Sequence, residues 1–290
     1  MKLLQIGPYG EEKPAVLLDD GHLVDVSDEF PSFDRRFFAD GGLTRVADVA
    51  ARKAAAGLRT LLDGTRIGAP IAWPHQIICV GLNYLDHARE TGQPSPAEPI
   101  LFNKSPNTLI GPDDAIQLPR DSTKTDWEVE LGVVIGQQAS YLCSDDEARA
   151  AIAGYVLVND VSEREFQLER GGQWMKGKSA ATFNPCGPYL VTADEIPDPQ
   201  ELDLWLDVNG VARQRGSTAN MIFDVLAIVR YVSQFMVLEP GDLINTGTPA
   251  GVGMGLTPPS FLRDGDVVSL GITGLGEQRQ SVIGAPPASF

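Results

Sequence analysis

Short runs in which every second residue is apolar recur along most of this chain, and a period of two is that of a half-buried β-strand. "KLLQI", "AVLLD" and "HLVDV" open the sequence, and Asp20-Gly21 between the last two is a hairpin turn signal. Residues 44–62, "TRVADVAARKAAAGLRTLL", have helical composition, and Gly64, Gly68, Pro70 and Pro74 then mark a boundary near residue 70. Beyond it strand-like runs dominate, among them "IICVG", "ILFNK", "WEVELGVVIG", "GYVLVND", "LDLWLDVNG" and "DVVSLGI". Helices are few. Ser144 and Glu147 form a capping-box signature ahead of "ARAAIA", with Gly154 suited to its end. Asn220 is the expected cap of "MIFDVLAIVRYVSQFM". Strands do not alternate strictly with helices, which disfavours a doubly wound parallel sheet.

One strand breaks the pattern. In "TDWEVELGVVIG" the apolar positions Trp127, Val129, Leu131, Val133 and Ile135 are interleaved with Glu128 and Glu130. Side chains two apart on a strand share a face, so two carboxylates stand side by side and repel. A third carboxylate, Asp160, ends the run "GYVLVND". Three carboxylates converging on one hard cation resolve the repulsion, and oxygen ligands suit Mg²⁺. Zinc fits less well, since no His or Cys lies in these stretches. Taken alone, Glu-x-Glu is a weak motif that also describes a solvated strand face.

Other candidate chemistry is similarly weak when each piece stands alone. In "GLNYLDHARETG", Asn83 is placed to cap a short helix ended by Gly92, which puts His87 and Glu90 three apart on one face. An imidazole beside a carboxylate is a general-base arrangement. Lys104, Lys176 and Lys178 are candidates to hold an anion or a developing negative charge, although Lys176 reads better as a surface lysine. "NTGTPAGVGMG" lacks the ending of a P-loop, but its N–H groups and the hydroxyls of Thr246 and Thr248 suit a carboxylate nest.

Composition narrows the partners. The 290 residues are 43% hydrophobic, as in a globular protein, and no run is long enough to span a membrane. With 23 basic and 39 acidic residues the formal net charge is -16, which argues against nucleic acid. The three cysteines, Cys79, Cys143 and Cys186, are widely spaced and odd in number, consistent with a reducing cytoplasm.

In order along the chain, "GLNYLDHARETG", "EPILFNKSPNTLIGPDDAI", "DWEVELGVVIG", "GYVLVNDVSER", "RGGQWMKGKSAATFNPCGP" and "LEPGDLINTGTPAGVG" resemble the fumarylacetoacetate hydrolase family over roughly residues 75 to 280. The resemblance implies an α+β, mostly β fold. A mixed β-sandwich or β-roll catalytic domain (71–290) would follow a small N-terminal α/β domain (1–70), in a cytoplasmic homodimer. It implies Mg²⁺ or Mn²⁺ on Glu128, Glu130 and Asp160. His87 and Glu90 then lie on a segment that orders over the substrate, and Lys178 matches the active-site lysine. Asn83, Lys104, Arg164, Gln167 and Thr248 match positions of the substrate-binding set. Members often carry Phe-Asp after "KGKS", whereas Ala180 and Ala181 follow here, which bears on how Lys178 is supported.

The expected activity is metal-dependent hydrolysis of the C3–C4 bond of a β-diketo acid, an acylpyruvate, with His87 and Glu90 activating water. Within the family, "DVSEREFQLERGGQWMKGKS" and "GLGEQRQ" are most similar to bacterial 2,4-diketo-3-deoxy-L-rhamnonate or -L-fuconate hydrolases, some of them labelled ureidoglycolate lyase. Donors from Arg170, Gln173 and Trp174 would then meet substrate hydroxyls. Oxaloacetate decarboxylation or a tautomerase or lyase reaction at the same site are the enzymatic rivals. A non-catalytic binding protein with a structural metal is the rival from another class.

Overall fold

The computed structural model describes residues 1–285. Its body is two β-layers. The larger sheet has eleven strands. In spatial order they are Thr60–Leu61, His22–Asp25, Lys13–Leu17, Lys2–Ile6, Leu190–Thr192, Ile152–Asn159, Val129–Ile135, Leu243–Asn245, Ile77–Gly81 and Ile100–Lys104. Ile67–Gly68 also pairs with Lys2–Ile6. The second sheet has five, in the order Val211–Ser217, Asp203–Val208, Val267–Ile272, Gly276–Ile283 and Ile116–Gln117. Most pairs are antiparallel. Leu243–Asn245 runs parallel to Ile77–Gly81, and Gly276–Ile283 parallel to Ile116–Gln117, so both sheets are mixed. The architecture is α+β and mostly β, as the resemblance implies. Among the described residues no helix is long and apolar enough to cross a membrane.

Alternation along the central strands decides what each layer receives. Val129, Leu131, Val133 and Ile135 share one apolar cluster with Leu204, Leu206, Val268 and Leu270 of the second sheet. Val134, on the opposite face, joins Val156, Val158, Leu243 and Cys79 in a second cluster with the N-terminal helix residues Val46 and Val49. Glu130 and Glu128 continue the Val134 face, and Asp160 continues the face of Val156 and Val158. The three carboxylates therefore fall on one side of two neighbouring strands, where the apolar layer ends. The sheet also crosses the boundary near residue 70, since Lys2–Ile6 pairs with Leu190–Thr192.

Four local expectations are corrected. The helix over residues 44–62 is Gly42–Ala55, because Gly57 takes the left-handed conformation (φ 78°) and Leu61 instead pairs with His22. Gly154 does not end the helix capped by Ser144. That helix stops at Ala151 and runs straight into Ile152–Asn159, and a Cβ on Gly154 would sit 2.1 Å from the Val191 carbonyl oxygen. Asn220 does not cap the late helix. Asp224 does, accepting from the Ala227 N–H, and the helix is Val225–Val232. Asn83 is not a cap either; its amide has longer-range work, described below.

Candidate active site

Glu128, Glu130 and Asp160 are buried and bring one carboxylate oxygen each to within 4.8 Å of one another. The backbone here leaves the ladder. Glu128 N–H donates to the Asn159 side chain (3.1 Å) and Val129 N–H to Gln214 Oε1 (2.9 Å), while Asp160 N–H donates to the Glu128 carbonyl (2.9 Å). Side chains thus replace sheet hydrogen bonds at the point where the carboxylates turn inward. Gln214 also donates to Thr248 Oγ1 and the Pro249 carbonyl, and Asn159 donates to Gln280. Neither Gln214 nor Asn159 was singled out from the sequence, where each reads as an ordinary polar residue on a strand.

Cations surround the triad. Lys178 Nζ lies 2.8 Å from both Glu128 Oε2 and Asp160 Oδ2, and 5.1 Å from the Phe102 ring centroid. Arg164 reaches Glu128 Oε1 (2.6 Å) and Asp126 Oδ2 (2.9 Å), and donates to Gln167 Oε1 (3.1 Å). Lys104 is wholly buried behind the triad, bonded to Asp160 and to the Val161 and Phe183 carbonyls. It therefore acts on Asp160 and does not line the cavity in front. Ala180 packs against the larger core, so Lys178 is held by its two carboxylates and Phe102.

The charges are unequally compensated. Burial alone would raise the Glu128 carboxyl, but Lys178 and Arg164 outweigh it and hold it at about 2. Burial pushes Glu130 well up, and the neighbouring Asp160 and Glu128 push it further. Its Oε2 accepts the Gly247 N–H at 2.8 Å, which does not offset this. Burial opposes the charge on Lys178, yet Asp160 and Glu128 raise it above its ordinary value. An uncompensated carboxylate among two others is what a divalent cation would satisfy. The all-oxygen, acidic donor set fits such a cation.

The second pair lies on the helix Leu85–Glu90, which Gly92 (φ 66°) follows. His87 Nδ1 is 3.1 Å from Glu90 Oε2, and Glu90 Oε1 accepts the Gly251 N–H (2.9 Å). His87 lines a cavity of about 480 Å³ together with Glu128, Glu130, Arg164, Lys178 and Thr248. Asn83 is buried beneath this helix. It donates to the Phe223 and Thr246 carbonyls and accepts the Phe223 N–H, so it ties three segments together and does not face the cavity.

The glycine-rich segment 245–255 is a nest, but for the protein's own carboxylates. Gly247 serves Glu130, Gly251 serves Glu90, and the Gly253 and Met254 N–H groups serve Asp126. The hydroxyls of Thr246 and Thr248 donate to the Leu131 and Val129 carbonyls. Gly247 must be glycine: its φ is 101°, and a Cβ would meet Asn83 Cβ at 2.8 Å. Of the residues expected to offer donors to substrate hydroxyls, Trp174 lines the cavity. Arg170 instead pairs with Glu165 and stacks on Phe166, and Gln173 is exposed away from the lining.

Comparison with known proteins identifies the family of this fold. The model of the fumarylacetoacetate (FAA) hydrolase C-terminal region matches residues 76–283. A relative from Burkholderia ambifaria, whose name specifies no substrate, is 53% identical over 97% of this chain and 98% of its own. The structure of a fumarylacetoacetate hydrolase from Exiguobacterium antarcticum superposes with a TM-score of 0.84 at 36% identity, covering 98% of this chain and 99% of that one. A maleylpyruvate hydrolase from Sphingobium, in complex with manganese(II) and pyruvate, superposes with a TM-score of 0.79 at 26% identity, covering 99% and 100%. The carboxylate triad, the His87 helix and Lys178 all fall inside the matched region, and the chain belongs to the fumarylacetoacetate hydrolase family.

Proposed function

We propose that this protein is a hydrolase of EC 3.7.1 type that cleaves the C3–C4 bond of an acylpyruvate to pyruvate and a carboxylic acid, using Mg²⁺ or Mn²⁺. The observation that carries this reading is that one cavity is lined by Glu128 and Glu130 of the buried carboxylate triad and by His87 of a separate imidazole–carboxylate pair. The manganese–pyruvate complex of the Sphingobium relative supports it, because a 2-oxo acid and a divalent metal are bound by that protein.

Glu128, Glu130 and Asp160 hold the cation, which when bound supplies Lewis-acid polarisation and charge neutralisation at the 2-oxo acid end. His87 presents Nε2 to water when its Nδ1–H is donated to Glu90. It takes the proton, and Glu90, fixed by Gly251, steadies the imidazolium. The hydroxide adds to C4. The C3–C4 bond then breaks with its electron pair moving to the pyruvyl fragment, and C3 takes up the proton that His87 removed from water, which returns the imidazole to its starting state. Lys178 offers its ammonium to the negative charge that develops on oxygen, while Arg164, Gln167 and Thr248 shape the cavity wall. Asn83 and Lys104 position the machinery from behind. The reading is completed by a cytoplasmic homodimer.

Turnover of a panel of acylpyruvates, diketo-deoxy sugar acids and oxaloacetate with added Mg²⁺ or Mn²⁺, with product identification, tests it. Pyruvate and a carboxylic acid in equal amounts are expected. Pyruvate from oxaloacetate alone would replace hydrolysis by decarboxylation, and metal-dependent melting without turnover would replace the enzyme by a binding protein. The sugar-acid subtype, expected from the similarity of "DVSEREFQLERGGQWMKGKS" and "GLGEQRQ" and from donors on Arg170, Gln173 and Trp174, enters the panel with Trp174 alone of those three at the cavity.

A further inference from the structure

We infer that Trp174, seated on Gly81 and edge-on to Phe102, is a specificity-determining residue that fits the acyl end of the cavity to a flat, uncharged, apolar acyl group such as an aroyl group. The inference rests on the acylpyruvate reading. Besides its carboxylates the cavity is lined by the apolar side chains Val80, Leu82, Ile100, Phe102, Leu168 and Trp174, with Phe102 next to Lys178 and Trp174 packed on Phe102. The Phe102 and Trp174 ring centroids are 5.3 Å apart at 63°, an edge-to-face arrangement. The indole can approach this closely because residue 81 is glycine: a Cβ there would lie 2.5 Å from an indole carbon.

The two long cationic side chains of the same cavity are already paired with the protein's own carboxylates. Arg164 and Lys178, the Arg and Lys among its lining residues, are each shared between two carboxylates. The Thr91 hydroxyl is turned to the His87 and Ala88 carbonyls, Gln167 Oε1 accepts from Arg164, and Gln93 is exposed at the rim. A second carboxylate on the acyl chain would compete with the pyruvyl end for Lys178, and away from that lysine it would be desolvated against Phe102, Trp174 and Leu168. Hydroxyls would lose water against aromatic walls. An aromatic acyl group gains burial and a stacking edge from the same walls.

The test is calorimetric binding, and in parallel hydrolysis, of benzoylpyruvate and succinylpyruvate by the Mn²⁺-loaded full chain. A polyhydroxylated diketo acid is the third ligand. Benzoylpyruvate is expected to bind at least about 10-fold more tightly than either of the others. Trp174→Ala should lower that ratio about 10-fold, Trp174→Phe should keep most of it, and Gly81→Ala, which displaces the indole, should behave like Trp174→Ala. Unchanged Mn²⁺ affinity in each variant confirms that it is folded. Equal or tighter binding of succinylpyruvate or the hydroxylated acid, a ratio insensitive to Trp174→Ala, or no binding of benzoylpyruvate would each overturn the inference. Selective binding of benzoylpyruvate without cleavage would uphold the pocket assignment and defeat the hydrolase reading instead.

Discussion

His87 Nδ1 lies 3.1 Å from Glu90 Oε2, three residues further along one short helix, and the Gly251 N–H pins the other oxygen of that carboxylate. The pair comes from a segment separate from the carboxylate triad, so its chemistry is separable from metal binding. His87→Ala and Glu90→Ala should each lower kcat by about 10²–10⁴-fold while leaving Mn²⁺ affinity within a few fold. If the two act as a unit, the double variant should be hardly slower than either single one. Steady-state kinetics beside calorimetry decide this, and multiplicative losses or lost metal affinity would contradict the pair.

Removing one ligand of the triad should abolish high-affinity metal binding, because hard cations of this kind take few protein ligands. Glu130→Gln and Asp160→Asn are the variants, and Mn²⁺ titration is the measurement. Full affinity in both would remove the triad as the metal site.

The raised Glu130 carboxyl makes metal binding and stability depend on pH. Without metal the folded state keeps a proton that the unfolded chain releases above the ordinary value of 4.5. The stabilising contribution of this group is therefore complete below 4.5 and is lost as pH rises through its raised folded value. Glu128 has the opposite sign: its contribution is present above 4.5 and is lost as pH falls toward about 2. The metal-free Tm of the wild type should thus decline with rising pH more steeply than that of Glu130→Gln, and Mn²⁺ should erase the difference in the wild type. Mn²⁺ affinity should increase with pH, with proton release visible as a buffer-dependent binding enthalpy. A pH-independent affinity with no proton release would show that Glu130 is ionised before the metal arrives.

Lys178 joins Glu128 to Asp160, and its removal leaves two buried carboxylates facing each other. Lys178→Ala should cost about 3–5 kcal/mol in the metal-free protein. Mn²⁺ should recover more stability in the variant than in the wild type, although turnover stays impaired. Thermal melts with and without Mn²⁺ give the answer, and an equal metal-induced shift in both proteins would refute the idea that Lys178 and the metal neutralise the same charges.

Gln214 belongs to the second sheet but satisfies the Val129 N–H beside the triad. Gln214→Ala should destabilise by about 1–3 kcal/mol, the range for stranding a buried partner. It should also weaken Mn²⁺ binding, since Glu128 and Glu130 flank that backbone group. Loss of stability with intact metal affinity would limit Gln214 to a structural role.

The alternation of "WEVELGVVIG" by itself determined that Glu128 and Glu130 share a face opposite Trp127, Val129 and Leu131, because strand geometry leaves no other arrangement once one face is buried. The Asp20-Gly21 turn, the Ser144 cap and the glycine that follows the His87 helix were legible for the same reason, being set by neighbours a few residues away. What Asn83, Asn220, Gly154 and residues 56–62 do was not legible. Three of these are set by partners distant in sequence: Asn83 bonds Phe223 and Thr246, Gly154 yields to the Val191 carbonyl, and Leu61 pairs with His22. The tertiary structure alone decided that the glycine-rich segment serves Glu130, Glu90 and Asp126. It also decided that Lys104 stands behind Asp160, and that Trp174 reaches the cavity while Arg170 and Gln173 do not. Local periodicity says which way a side chain points, but which buried polar group it meets depends on how sheet, helix and loop close around one another, and that is a property of the whole fold.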